Sequence, residues 1–325
     1  MKLRRNGKTR ERRVKILFVT DLHGSEYTFG KLLRALPIWK ADALIVGGDV
    51  AGKGLLPILR ADGALRLRWM GEEITVSAEE LPAYETRANQ LGFYPYVTDG
   101  DELAAMRASE DHTTEVFERL MADRWASWLE QLEARCGELE LPAFVIAGND
   151  DPWTLDDLTF ADRDWVTGAD GRVLPLLDDY VLLSCGLANQ TPWDCPRDTS
   201  EAELTQQLTS LANQAGDLES AIANIHVPPY GSALDVAPRL DTSVSPPRPI
   251  TGETAAVGST AVMDFLREFQ PLVSLHGHIH ESPGTATIGR TRAINPGSEY
   301  AEGILRGVLV TLTPTRVVGH QFVTG

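Results

Sequence analysis

Short apolar runs recur along the chain, and five of them stop abruptly at residues able to bind a cation. Val14–Thr20 runs into Asp21-Leu22-His23-Gly24, and Ala43–Val46 into Gly47-Gly48-Asp49. Ala143–Ala147 leads to Gly148-Asn149-Asp150-Asp151, Ala221–Ile225 to His226, and Leu272–Leu275 to His276-Gly277-His278-Ile279-His280. The runs are near-continuous rather than alternating, which predicts strands buried on both faces. Helical patterns lie between them, at about 26–39, 200–215 and 258–269. The stretch of about 286–323, rich in Val, Ile and Thr with Gly turns, predicts further strands. Strands alternating with helices predict an α/β protein, and such sheets carry their sites just beyond the carboxyl ends of the strands.

Residues 55–138 break this rhythm. A hairpin is predicted over about 65–76, followed by helical patterns near 78–91 and 101–136, so the segment reads as a mainly helical insertion between the second and third core strands. Because it separates Asp49 from Asn149, both its ends are expected at the mouth of one site, where it would form a cap; an oligomerisation arm is the alternative. Its Trp69, Phe93, Tyr94 and Tyr96 could stack on a base, but packing within the insertion is the plainer reading. The same holds for Trp125 and Trp128 at helical spacing. The stretch 228–257 has six prolines and is expected to be an ordered loop without regular structure.

The chain has 325 residues and a net charge of −16. That charge opposes loose binding to nucleic acid or an anionic membrane, and an anionic substrate would need local cationic help. Residues 1–13 go against it, with seven Lys or Arg and one Glu. They read as a basic flexible tail before a domain over 14–325, since the apolar run that follows is too short for a signal peptide. No run reaches the roughly 18 apolar residues of a membrane span. The three cysteines, Cys136, Cys185 and Cys195, form no metal-type pair and are odd in number, which fits a reducing cytoplasm.

Taken singly, each strand-end motif has an ordinary explanation. Asp21-x-His23 and Gly47-Gly48-Asp49 could be turns, Asn149 a helix cap, and His226 a satisfied structural histidine. His278-x-His280 is the strongest local signal, because two imidazoles at this spacing can face neighbouring cations. Together, seven donors appear at or just beyond strand ends in the order Asp-x-His, Asp, Asn, His, His-x-His. The mixed nitrogen and oxygen set suits Mn²⁺, Fe or Zn²⁺ better than Ca²⁺ or Mg²⁺, and the lack of Cys argues against a structural zinc knot.

The chain here resembles the calcineurin-like metallophosphoesterases. The resemblance rests on DLHG at 21–24, GGD at 47–49, GND at 148–150, His226, GHIH at 277–280 and NPGS at 295–298, the last being like the closing motif of bacterial and archaeal members. It implies a four-layer sandwich of two mixed β-sheets flanked by helices. It also implies two divalent cations, Mn²⁺ foremost. Asp21, His23, Asp49 and His280 would hold one, and Asp49, Asn149, His226 and His278 the other, with Asp49 bridging. Two cations about 3.5–4 Å apart can hold a hydroxide as nucleophile and neutralise phosphoryl oxygens during in-line attack. A small phosphorylated substrate is expected, with a homo-oligomer left open.

One position departs from the family pattern. Many members have His after the Asn, thought to assist the phosphate or leaving group, whereas here Asp150 follows Asn149. A carboxylate there would repel phosphate unless protonated or turned away. Proton donation to the leaving group would then fall to Asp150 with a raised pKa, to His112 of the insertion, or to water. Some phosphodiesterase-like members lack that His as well, which favours diester substrates. After Asp49 come Val50-Ala51-Gly52-Lys53 without the Arg-Gly pair of protein phosphatases, and Lys53 could contact substrate phosphate. A phosphomonoesterase and a non-catalytic scaffold of the same fold are the alternatives, although a scaffold would be expected to have lost some of the seven donors.

Overall fold

In the computed structural model, residues 12–61 and 63–325 are described. Apart from Arg12 and Arg13, the basic tail lies outside them. Arg12 Nη1 pairs with Asp178 Oδ2 at 2.9 Å on the surface.

Two six-stranded mixed sheets form the body. The first is ordered Arg316–Thr324, Arg306–Thr313, Val14–Val19, Ala43–Gly47, Ala143–Ile146 and Val166–Gly168. The second is ordered Gly284–Ile288, Thr291–Asn295, Val273–Leu275, Ala221–Ile225, Tyr180–Cys185 and Val173–Leu176. In the first, Val14–Val19 to Val166–Gly168 run parallel and the two C-terminal strands pair antiparallel; in the second, four parallel inner strands have an antiparallel partner at each margin. Alternate residues of a single strand enter different cores, which is why its apolar run is unbroken. Ile16 and Phe18 join Leu182, Ile222 and Leu275 of the other sheet. Leu17 and Val19 face the opposite way, onto Phe29 and Leu32 of the helix Glu26–Trp39 and Trp128 of the helix Glu110–Leu139. The outer side of the second sheet, with Cys185 and Ala223, packs on Leu204 and Leu208 of the helix Glu201–Ala215 and Phe265 of the helix Thr260–Phe269.

Local signals account for the helix starts. Ser25 accepts from Thr28 N at the head of the first helix, and Ser200 with Glu203 forms a reciprocal capping box. The helical pattern expected over 101–136 divides at Ser109. This residue is extended (φ −137°, ψ 115°) and accepts from His112 N, so it ends Gly100–Ala108 and caps Glu110–Leu139.

The insertion contains more than helices. Its expected hairpin forms one edge of a four-stranded sheet ordered Glu72–Val76, Ala64–Trp69, Gly54–Ala61 and Phe93–Thr98. This sheet has its own small core of Leu56, Ile58, Leu65, Leu67, Val76 and Ala88. The helix Glu110–Leu139 instead belongs to the main body, where Trp125, Trp128 and Leu132 pack beneath Leu44 and Val145.

The expectation that both ends of the insertion reach the site needs correcting. Leu44 pairs in parallel with Ala143, so residue 143 lies beside the start of the strand that ends near Asp49. The long helix is a crossover that carries the chain back to the amino ends of the strands, as a parallel pair requires. A second correction concerns 228–257, which contains the antiparallel pair Val236–Asp241 and Arg248–Ala256.

Candidate metal centre

The seven donors leave the carboxyl ends of strands from both sheets. The first sheet contributes Asp21, His23, Asp49 and Asn149, and the second contributes His226, His278 and His280. Six of the seven fall into two groups whose ligand atoms lie within 4.8 Å of one another: Asp21, His23 and His280 in one, Asp49, His226 and His278 in the other. A third such group, His23, Asp49 and Asp150, overlaps both. His23 Nε2 approaches His280 Nε2 at 3.0 Å and Asp49 Oδ2 at 3.6 Å. Asp21 Oδ1 is 3.3 Å from His280 Nε2, and Asp49 Oδ1 is 3.3 Å from His226 Nε2. The two oxygens of Asp49 thus turn toward different groups. Two ring nitrogens and two carboxylates converging in this way suit a shared cation.

Backbone geometry supports the same point. Asp21 (φ 54°), His23 (φ 42°), Asp49 (φ 49°) and His278 (φ 66°) all adopt the left-handed conformation without being glycine. Each costs on the order of 1–3 kcal/mol, and such residues cluster where strain serves a site. Gly148 has no room for a side chain, since a Cβ there would overlap Asp49 Oδ1. At Gly92 (φ 83°) a Cβ would meet the His23 carbonyl, so this turn of the insertion lies directly on the site loop. Tyr94 and Arg124 strengthen that seat: Gly52 N donates to Tyr94 Oη at 3.0 Å, and Arg124 Nη1 to Gly24 O at 2.7 Å.

Several neighbours hold the donors in place. His226 Nδ1–H donates to Gly47 O at 2.8 Å, which turns Nε2 toward Asp49. His276 is no donor to the cluster; its Nδ1 donates to the carbonyls on either side of His226, Ile225 O and Val227 O. Asp151 accepts from Gly148, Val50 and Ala51 backbone N–H groups, tying two of the site loops together. Asn295 Nδ2 donates to Ile279 O, and Ser298 Oγ to Asp21 O, so the NPGS segment braces the first group. Asn149 Oδ1 is buried without a hydrogen-bond partner. A buried neutral oxygen left free of protein donors is available to a hard cation.

The electrostatics sort the titratable groups. Burial lowers His23 well below its usual pKa, and burial followed by the charge of His226 takes His278 to about 3, so both are neutral and free to ligate. His226 behaves oppositely: the cost of burying its charge is outweighed by Asp49, then Asp21, and its pKa rises to about 10. A cation must therefore displace a proton from the metal-free site. Apparent affinity for Mn²⁺ is expected to fall by about tenfold per pH unit as pH drops below about 10, for each proton displaced. Calorimetric titrations at pH 6, 7 and 8 would show this, and pH-independent binding would contradict it.

The positions outside the seven donors fare differently. Asp150 Oδ2 pairs with Lys53 Nζ at 2.6 Å, and Asp150 Oδ1 accepts from Cys195 Sγ at 3.0 Å. Burial would raise its pKa, but Lys53 and then His23 outweigh it and hold the carboxyl well below its usual range. A raised pKa, the condition for Asp150 as proton donor, is therefore not found. His112 lies apart from the three groups: its Nε2 contacts Glu102 Oε1 at 3.1 Å on the neighbouring helix. Tyr300 gave no signal in the sequence, yet its ring centroid is 4.6 Å from that of His23 and 5.8 Å from that of His280. Arg197 and Asp198, just before and at the start of the two-residue strand Asp198–Thr199 and outside every motif, also reach the Asn149–Asp151 turn.

Strand-end donors on two facing mixed sheets thus form a candidate metal centre. The calcineurin-like phosphoesterase family matches residues 14–282, and the chain belongs to that family. An uncharacterized protein of Methanocaldococcus jannaschii is 25% identical over 127 residues, which are 38% of this chain and 51% of that protein. The matched part is thus about half the length of that relative. A solved protein of Thermus thermophilus superposes with a TM-score of 0.51 at 13% identity, covering 93% of this chain and 100% of its own. Another solved chain reaches 0.55 at 16% identity, over 97% and 99%. These two likenesses are of fold alone. Family and site together support a metal-dependent phosphoester hydrolase. Among the described residues, no helix is long and apolar enough to cross a membrane.

Proposed function

We propose that the chain is a phosphodiesterase that works with two divalent cations, Mn²⁺ foremost. Asp21, His23, Asp49 and His280 hold one, and Asp49, Asn149, His226 and His278 the other. When bound, the cations supply water activation and neutralise phosphoryl oxygens. The observation that carries the diester reading is the 2.6 Å ion pair of Asp150 with Lys53, at the position where many relatives have His. An ionised carboxylate beside the reacting phosphate repels a dianionic monoester more than a monoanionic diester. It also donates no proton, so substrates whose leaving alcohol needs little protonation are favoured. Lys53 lessens the repulsion by pairing with Asp150.

Side-by-side turnover of a chromogenic diester and monoester with added Mn²⁺ tests this, and a clear preference for the monoester would overturn the diester reading. Lys53→Met is expected to lower kcat/KM for the diester by about tenfold by leaving Asp150 unpaired, with the discount that a half-exposed pair demands. Asp150→Asn in that background should recover part of the loss. The same reading makes residues 54–98 a cap, seated on the site loops through Gly92 and Tyr94. Replacing 55–98 by a short turn should change the ratio of diester to monoester rates, and an unchanged ratio would remove the cap. All three cysteines are free, and we place the protein in the reducing cytoplasm on that basis; a native disulfide would contradict it.

A further inference from the structure

Asp198 lies outside every motif, yet it decides which end of the Asn149 amide faces the other donors. Asn149 Nδ2 donates to Asp198 Oδ1 at 3.0 Å. A carboxylate only accepts, so the nitrogen must be the end turned to Asp198, and Oδ1 is left as the free, buried end. Asp198 is itself held: its Oδ2 accepts from Thr191 N at 2.8 Å, Thr191 Oγ1 at 2.5 Å and Cys195 N at 3.1 Å. The same short segment grips the turn at other points as well. Arg197 N donates to Asn149 O at 3.1 Å, and Cys195 Sγ to Asp150 Oδ1 at 3.0 Å.

We infer that Asp198 is a positioning residue that turns the Asn149 side-chain oxygen onto the second cation, the one shared with Asp49, His226 and His278. The inference rests on the two-cation reading above. It has a consequence peculiar to hydrogen-bond polarity. In Asp198→Asn the new carbonyl oxygen is drawn to the Oδ2 position, where three donors converge. The new NH₂ group then faces Asn149, which must flip to accept from it. Its own NH₂ would point at the cation, which no amide nitrogen ligates. Size and loop contacts are otherwise kept, so a merely structural role for Asp198 should survive this change. Adding Asn149→Asp restores an acceptor toward the new NH₂ and leaves a second oxygen for the cation.

The experiment is Mn²⁺ titration calorimetry, with bound metal per chain and the unfolding midpoint of the metal-free protein, on the parent, D198N and N149D/D198N. D198N is expected to weaken one of two sites by about 10–100-fold, leaving the other site and the midpoint near the parent's. The exchanged pair should regain most of the lost affinity. Parental binding in D198N, or an exchanged pair as weak as D198N alone, overturns the inference. Should D198N fold poorly, the exchanged pair decides by itself: two sites support the inference, and one site overturns it. A parent that takes up no Mn²⁺ overturns both this inference and the two-cation reading, and that failure is distinguishable because it appears before any substitution is made.

Discussion

Asp49→Ala is expected to leave the chain unable to hold either cation tightly and to reduce turnover by at least roughly a thousandfold, the scale of losing a group that acts on transition-state charge. Its two oxygens serve different groups: Oδ2 lies 3.6 Å from His23 Nε2, and Oδ1 lies 3.3 Å from His226 Nε2. Oδ1 also accepts from Asp150 N at 3.1 Å, so the carboxylate anchors the Asn149–Asp151 turn. His23→Ala differs, because its ring belongs with Asp21 and His280, and one cation should remain. Stability gives a separate readout. Asp49 is buried at φ 49°, where Ala is less at ease than Asp, and its Oδ1 accepts from Asp150 N, so the metal-free Asp49→Ala protein should melt below its parent. Bound metal per chain, turnover and metal-free melting are the three measurements. Wild-type turnover in Asp49→Ala would show that the donor assignment is wrong.

The strands that bear donors were legible because burial on both faces gives an unbroken apolar run, and the run must stop where the chain leaves the sheet. Val14–Val19 and Ala221–Ile225 show both features, and the run-to-donor transition marked the site as well as the strand. Tyr180–Cys185 is just as apolar but ends at Cys185-Gly186, with no donor to draw attention to it. The Val236–Asp241 and Arg248–Ala256 pair is largely exposed and interrupted by prolines, so neither periodicity nor burial marks it. The insertion sheet was half seen: its edge hairpin alternates, whereas Phe93–Thr98 contains a proline and pairs in parallel with Gly54–Ala61 across a helix. Within the site, the order of donors could be read, but the groups that aim them could not. Tyr300, Arg197 and Asp198 reach the centre through tertiary packing, and no local spacing encodes that. The Lys53–Asp150 pair falls in the same class, since it joins two loops about a hundred positions apart in the chain and removes one of the three proton donors left open, a protonated Asp150.

Arg197→Ala is expected to cost about 3–5 kcal/mol of stability, the scale of stripping one partner from a buried ion pair. Its side chain has no solvent exposure. Nη2 pairs with Asp156 Oδ1 at 2.5 Å and Nη1 with Asp170 Oδ2 at 3.3 Å, while Nε donates to Asp151 O at 2.9 Å. The guanidinium also lies 4.1 Å from the centroid of Trp153. Removing it leaves a cavity, unpaired carbonyls under the site turn and a carboxylate at Asp170 that is largely buried. Arg197→Lys should recover little, because an ammonium cannot reproduce the planar fork. For a chain of this size the loss corresponds to a fall in melting temperature on the order of 10 °C. Its pH dependence separates charge from packing. Burial already raises the pKa of Asp170, against the opposing pull of Arg197, and the variant removes that pull. A folded-state pKa raised further means stability that is present at low pH and lost as pH rises through that value. The gap between parent and variant should therefore widen from acid toward neutral pH and narrow again in Arg197→Ala/Asp170→Asn. A gap that stays constant with pH would assign the whole effect to lost packing and remove the ion pair from the account.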